Sequence, residues 1–267
     1  MQAAVTSQQY QCKNCLHIIT GKWQARCQAC GCWESFVSGN LGDGQPAVAK
    51  PLNTYEGQQG GKIQTGIPQL DFALSGGFVP GMTSIMIGEY GLGKSTLALQ
   101  AAFWIGVKYK RQPLYVSGEE GGAQVLERCN RLGLNGGWIQ FVNPADVGAI
   151  RRYLMTGARP PFIVVDSLQC LDDPLAKGRD ERRQWRAFKG LMALCHATKA
   201  ASLVLSQVNA RGRVKGGPAY AHEADGAVLK IHGQENSPVR NLEVLKNRDG
   251  KSKFPVPTMQ MTAEGLK

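Results

Sequence analysis

The stretch Thr83–Thr96, TSIMIGEYGLGKST, constrains this chain more than any other. An apolar run enters Gly88-x-x-x-x-Gly93-Lys94-Ser95, and a helix-forming run, LALQAAFWIGV, leaves it. Strand, glycine-rich loop and helix in that order make the phosphate-binding loop of nucleotide hydrolases. Residues Gly88, Glu89, Tyr90, Gly91, Leu92, Gly93, Lys94, Ser95 and Thr96 are expected to wrap the phosphates of ATP. The glycines let backbone N–H groups turn inward around them. Lys94 places a point charge on the phosphates, and Ser95 offers a hydroxyl to Mg²⁺.

Beyond residue 62 apolar strands alternate with helical stretches. Strands are expected at 83–88, 113–117, 138–142, 162–166, 202–206, 227–232 and 241–246. Helices are expected at 95–109, 123–132, 145–155 and 182–199. Such alternation implies an α/β fold with a mostly parallel sheet covered on both faces. The last strands lack intervening helices and read as an antiparallel extension.

Two strand ends complete the expected ATP site. Phe162–Asp166 is an apolar run ending in an acid, so Asp166 either holds Mg²⁺ beside Ser95 or is an ordinary strand-end carboxylate. Leu114–Ser117 runs into Glu119 and Glu120. Carboxylates at a strand's carboxyl end face the ligand crevice of such a sheet. Glu119 is the expected general base for the attacking water, with Glu120 as helper. The other reading is an acid pair at a helix N-terminus.

Five of the eight cysteines lie within residues 12–32. Cys12-x-x-Cys15 and Cys27-x-x-Cys30 form two knuckles suited to tetrahedral Zn²⁺. Four thiolates leave no open position, so the expected site is structural, and metal binding supplies the folding energy of so short a segment. Trp23, Trp33 and Phe36 are expected to pack over it. Cys32 is spare, and Cys129, Cys170 and Cys195 read as buried inert thiols. Residues 37–61 are rich in Gly, Pro, Asn and Gln and read as a linker. The expected organisation is a zinc ribbon at 1–36, a linker at 37–61 and the nucleotide domain at 62–267.

Lys and Arg number 31 against 20 Asp and Glu, a formal charge of +11. Residues 121–200 hold 12 basic against 7 acidic side chains, and residues 201–267 hold 10 against 6. An acidic partner such as nucleic acid fits this excess. The N-terminus lacks the shape of a signal peptide and no long apolar run exists, so a cytoplasmic location without membrane contact is expected.

Four segments together resemble the bacterial RadA (Sms) family of RecA-like DNA repair ATPases. They are YQCKNCLHIITGKWQARCQACGCWESF at 10–36, IQTGIPQLDFALSGGFVPG at 63–81 with the phosphate loop, LYVSGEE at 114–120 and KNRDG at 246–250. The resemblance implies a zinc ribbon before a RecA-like core, a homo-oligomeric ring of six, and ATP-driven movement on single-stranded and branched DNA beside a RecA-type recombinase. It also makes Lys246 and Arg248 candidates for reaching a neighbouring subunit's ATP, where an arginine in trans would neutralise charge developing on the γ-phosphate. Without it they read as ordinary charged residues at a strand end.

The chain departs from the family pattern in three places. Asp249 replaces a Phe and is placed to pair with Arg248. Ser206-Gln207-Val208-Asn209 replaces Gly-His-Val-Thr and looks more like replicative ring helicases, which makes Gln207 a candidate γ-phosphate sensor. The sequence stops where the family continues into a Lon-protease-like domain, as a short form would.

DNA contact is expected from two basic segments. Residues 170–186 carry Arg179, Arg182 and Arg183, which also read as the charged start of a helix. Residues 209–222 carry Arg211, Arg213 and Lys215, with Tyr220 as a possible stacking group. Such cations give salt-sensitive, sequence-tolerant binding. The expected activity is a DNA-dependent ATPase that moves on single strands and promotes branch migration. An ATP-gated assembly module and a replicative-helicase-like ring are the alternatives.

Overall fold

A computed structural model of the chain describes residues 8–13, 18–28, 31–38, 51, 60–173, 180–208, 214–234, 237–252 and 254–267. They fall into two units, one within residues 1–58 and one over 59–174 and 178–267.

The smaller unit is a three-stranded antiparallel sheet. Its middle strand β1 (Gln9–Cys12) pairs with β2 (Ile18–Thr20) and β3 (Phe36–Ser38). Cys12, Cys27 and Phe36 are buried together, with Tyr10 and Ile19 against them. The two tryptophans do not join this cluster. Trp23 is 46% exposed and Trp33 66%. So small an interior has no room for indoles. Trp23 instead donates its ring N–H to the Phe36 carbonyl at 3.2 Å. Trp33 carries the Arg26 guanidinium 5.6 Å from its ring centre.

The larger unit runs α1 (Pro68–Ala73), β4 (Thr83–Gly88), α2 (Lys94–Tyr109), β5 (Leu114–Ser117), α3 (Gly122–Arg131), β6 (Gln140–Val142), α4 (Val147–Met155) and β7 (Phe162–Asp166). It continues with α5 (Asp180–Thr198), β8 (Ala201–Gln207), α6 (Pro218–Glu223), β9 (Ala227–His232), β10 (Val239–Asn247), β11 (Met259–Thr262) and β12 (Gly265–Leu266). Among the described residues these strands form a nine-stranded sheet, ordered β12-β11-β10-β9-β4-β8-β7-β5-β6. The six strands from β9 to β6 are parallel, and β10, β11 and β12 extend the sheet antiparallel.

The phosphate-loop strand β4 is central, and all six of its residues are buried. That is why it reads as one apolar run: a parallel strand covered on both faces has no solvent side. Ile85 and Ile87 enter one core cluster and Met86 the other. Strand 227–232 is parallel to β4, not part of the antiparallel extension expected from the sequence. The physical reason is α6, a six-residue helix beginning at Pro218, which carries the chain across between β8 and β9.

Helix α2 is buried almost all round through its first three turns. The β11–β12 hairpin covers it. The Gln100 side chain bonds both the N–H of Leu266 at 2.9 Å and its carbonyl at 3.3 Å, continuing the hairpin's edge onto the helix.

Candidate active site

The carboxyl ends of β4, β5, β7 and β8 and the start of α2 enclose a cleft of about 410 Å³. Small-molecule pockets fall between roughly 300 and 1,000 Å³. Gly88 ends β4 against Ile231, whose carbonyl oxygen would lie 2.6 Å from any added Cβ. Glu89 and Gly91 are exposed, and Tyr90 is 92% exposed. Leu92 anchors the loop in the core. Gly93 has φ +92, and a Cβ there would meet the Met261 methyl at 2.3 Å, so the position requires glycine twice over.

Lys94 opens α2 and donates to the carbonyls of Gly88 at 2.8 Å and Glu89 at 2.6 Å. Burial pushes its ammonium pKa down, and the Asp166, Glu119 and Glu89 carboxylates offset part of that shift. The Ser95 hydroxyl bonds the Asp166 carboxylate. Asp166 is buried, and the Tyr115 hydroxyl donates to it at 2.7 Å. Burial raises the Asp166 pKa, the Tyr115 and Ser95 hydrogen bonds pull it back, and Glu119 and Glu120 raise it further. Ser95 and Asp166 therefore present a hydroxyl and a carboxylate side by side, the donor set that suits Mg²⁺. Thr96 lines the cleft behind them.

Glu119 and Glu120 both line the cleft but differ in their partners. Glu119 accepts a hydrogen bond from the Ser167 hydroxyl. Glu120 is committed to Arg128, Oε1 to Nη2 at 2.6 Å. Glu119 is thus the carboxylate free of a cation, and Glu120 positions α3. Gln207 also faces the cleft, and its backbone carbonyl accepts the Lys215 N–H at 2.9 Å. Val208 and Val214 form an antiparallel bridge next to it.

Lys246 and Arg248 are brought to α6. The Lys246 ammonium donates to the carbonyls of Ala221 at 3.1 Å, His222 at 2.7 Å and Ala224 at 2.6 Å. Arg248 donates to the His222 carbonyl at 3.3 Å. Asp249 does not pair with Arg248 as the sequence suggested. It binds Lys62 at 2.7 Å, because the lead-in to α1 runs beside the KNRDG turn.

The basic segments are only partly described. Arg179, Arg211 and Arg213 lie outside the described residues. Arg182 is exposed on α5, and Lys215 is exposed just after the Val208–Val214 bridge. Arg183 is paired with Asp172, so part of its charge is spent within the chain. Tyr220 is buried against Trp185 and Phe188 and gives its hydroxyl to Gln184, so it cannot stack on a base. Cys129 and Cys195 are buried, whereas Cys170 is half-buried beside the Glu119 carboxylate.

Of the four expected zinc ligands, Cys12 and Cys27 are fully buried, and Cys15 and Cys30 lie outside the described residues. Among the described residues no group of three His, Cys, Asp or Glu is placed to hold a metal ion. Nor is any described helix long and apolar enough to cross a membrane.

Sequence reasoning passed over Tyr115, Arg128, Arg131, Ser167 and Met261. Tyr115 and Ser167 carry no motif. Arg128 and Arg131 lie one turn apart on α3, a signal that could have been read as facing the same way as Glu120.

Residues 63–140 match the family described as ATPase: KaiC. The chain is 30% identical over 265 residues to the DNA repair protein RadA of Aquifex aeolicus, covering 96% of this chain and 58% of that protein. It is 32% identical over 257 residues to RadA of Mycobacterium tuberculosis, covering 91% and 52%. The chain is a homologue of bacterial RadA. It spans about half the length of these curated relatives. In fold the chain is RecA-like. It is similar to a KaiC-like protein of Pyrococcus horikoshii, with a TM-score of 0.62, 19% identity and coverage of 77% of this chain and 97% of that one. A RadB recombinase gives a TM-score of 0.59 at 21% identity, covering 76% and 98%. The RadA likeness runs through the phosphate loop, the GEE turn at 118–120 and the KNRDG turn, three segments that the fold assembles at one end of the sheet or its edge.

Proposed function

We propose that this RadA homologue hydrolyses ATP and couples hydrolysis to movement on single-stranded DNA, promoting branch migration of recombination intermediates. The observation that carries the reading is the grouping of Lys94, Ser95, Asp166, Glu119 and Gln207 around one cleft.

Lys94 and the loop N–H groups bind the phosphates of ATP. Ser95 and Asp166 would hold Mg²⁺, which supplies charge neutralisation on the phosphate oxygens when bound. Glu119, held by Ser167, accepts the proton of the attacking water. Gln207 reports the state of the terminal phosphate to Lys215 through the backbone bond between them. DNA is held by Arg182 and Lys215 together with Arg179, Arg211 and Arg213, through its phosphates. Arg183 contributes less because of Asp172.

In a ring of subunits Arg248 is the residue that reaches the neighbour's ATP, and Lys246 is the clamp that holds its strand to α6. The buried Cys12 and Cys27 are half of a C4 zinc site that Cys15 and Cys30 complete. Single-stranded or branched DNA, a RecA-type recombinase and further copies of this chain are the partners, in the cytoplasm.

The test is ATP hydrolysis with and without single-stranded DNA, with Lys94→Ala as control. Hydrolysis that rises with DNA and vanishes in the control supports the reading. Control-sensitive hydrolysis indifferent to DNA overturns the motor and leaves an ATP-gated assembly module.

A further inference from the structure

The cleft has two ends with different chemistry. Lys94, Glu119, Asp166 and Gln207 account for the terminal phosphate end. Glu120 and Arg128 are spent on each other at 2.6 Å. Leu205 is fully buried in β8. The side chains left facing the cleft beyond the phosphate loop are Arg131 and Met261.

These two come from elements far apart in sequence and are brought together by one contact. Arg131 ends α3 and is exposed. Its guanidinium donates to the Ala263 carbonyl at 3.4 Å, at the tip of the β11–β12 hairpin. Met261 lies two residues earlier on β11, half-buried, with its methyl against Gly93. The hairpin is fixed in this position by Gln100, so Met261 sits on a rigid support.

A planar guanidinium and a polarisable thioether are both good partners for an aromatic face. Neither supplies a matched pattern of donors and acceptors for a base edge. We propose that Arg131 and Met261 form the nucleobase subsite, holding the base by its faces and giving little discrimination between purines. This rests on the nucleotide reading above and assigns its second half. The hairpin at 259–266 is then part of the nucleotide site, not only a cover for α2.

The experiment is calorimetric titration of the whole chain with ADP, GDP and inorganic tripolyphosphate. Wild type, Met261→Ala, Met261→Leu and Arg131→Ala are compared. ADP affinity is expected to fall roughly tenfold in Met261→Ala and Arg131→Ala, the loss of a modest contact. Tripolyphosphate affinity should stay unchanged, and Met261→Leu, which keeps apolar bulk, should stay closer to wild type. ADP and GDP should bind wild type within about fivefold of each other, since a site without edge hydrogen bonds rejects neither. Equal losses for ADP and tripolyphosphate would mean that the hairpin only shapes the loop, and would overturn the subsite. Unchanged ADP affinity in both alanine variants overturns it too. A wild-type chain that binds neither ADP nor tripolyphosphate overturns the nucleotide reading itself.

Discussion

Lys62 and Asp249 stand 187 residues apart in the chain and meet in an ion pair at 2.7 Å. The same ammonium donates to the carbonyls of Leu74, Ser75 and Asp249 at 3.2, 3.1 and 3.0 Å. Lys62 is therefore the pin that joins the lead-in to α1 with the KNRDG turn, and Arg248 is next to the pinned residue.

Removing the pin leaves one carboxylate and three carbonyls without their donor. Lys62→Met is expected to cost on the order of 1–3 kcal/mol, the range for hydrogen bonds to a charged group. Asp249→Asn should cost less, because the ammonium keeps its carbonyl partners. Urea unfolding checks both, and an Asp249→Asn loss equal to or above that of Lys62→Met would refute the pin.

Asp166 links pH to stability. Burial raises its carboxyl pKa above the usual carboxylate range. The folded chain then binds more protons than the unfolded one between the two pKa values. Its contribution is most favourable below the ordinary carboxylate pKa and is lost as pH rises through the folded value. Asp166→Asn keeps an acceptor for Tyr115 and Ser95 but not the charge. It should raise the Tm at pH 7 in EDTA, by a margin that shrinks toward pH 4, while abolishing hydrolysis. A lower Tm at pH 7 would show that the carboxylate is not a net cost.

Tyr115 tunes that carboxylate. Its buried hydroxyl, pushed well up by burial and then by Asp166, donates at 2.7 Å. Tyr115→Phe removes a bond that holds the Asp166 pKa down. The acid limb of the ATP hydrolysis profile should move to higher pH, with a stability loss of about 1–2 kcal/mol. An unmoved limb would separate Tyr115 from the metal-site carboxylate.

The two glutamates should separate cleanly. Glu119→Gln is expected to lower hydrolysis by roughly 10²–10⁴, the range for loss of a general base, with ADP binding intact. Glu120→Gln weakens the pairing with Arg128 and should give the smaller kinetic effect. The reverse order in single-turnover assays would exchange their roles.

Cysteine labelling reads burial directly. The Cys195 thiol is fully buried and pushed up to about 11 by burial. At pH 8 it should resist alkylation until the fold opens, because the thiolate is the nucleophile. Cys170, half-buried at the cleft, should label before Cys129 and Cys195, as mass spectrometry would show.

The strands and helices with strong apolar patterning were legible in sequence, since burial on both faces or on one face writes itself into residue order. β4 and β7 match the expected bounds residue for residue. The antiparallel β10 was legible too, with bounds of Val239–Asn247 against the expected 241–246. Helices α1 and α6 were missed because six residues carry less than two turns of periodicity. β11 and β12 were missed because a strand of two to four residues has almost no pattern. The phosphate-loop residues were legible because their chemistry is local. Tyr115, Arg131 and Met261 were not, because what brings them to the cleft is strand order and a hairpin docked on α2. Asp249 shows the same limit: adjacency in sequence suggested Arg248, and packing supplied Lys62.

The bridge between Val208 and Val214 closes the base of the segment between them, with Gln207 and the cleft on one side and α6 with its Lys246 clamp on the other. A segment fenced in this way can be exchanged like an insert in a frame. Doubling its length costs only about 0.6 kcal/mol in closure entropy. Residues 209–213 can therefore be rewritten for a different strand, charge or grip while the hydrolytic machinery on either side keeps its geometry, which makes this short span the natural place to retarget the protein by design.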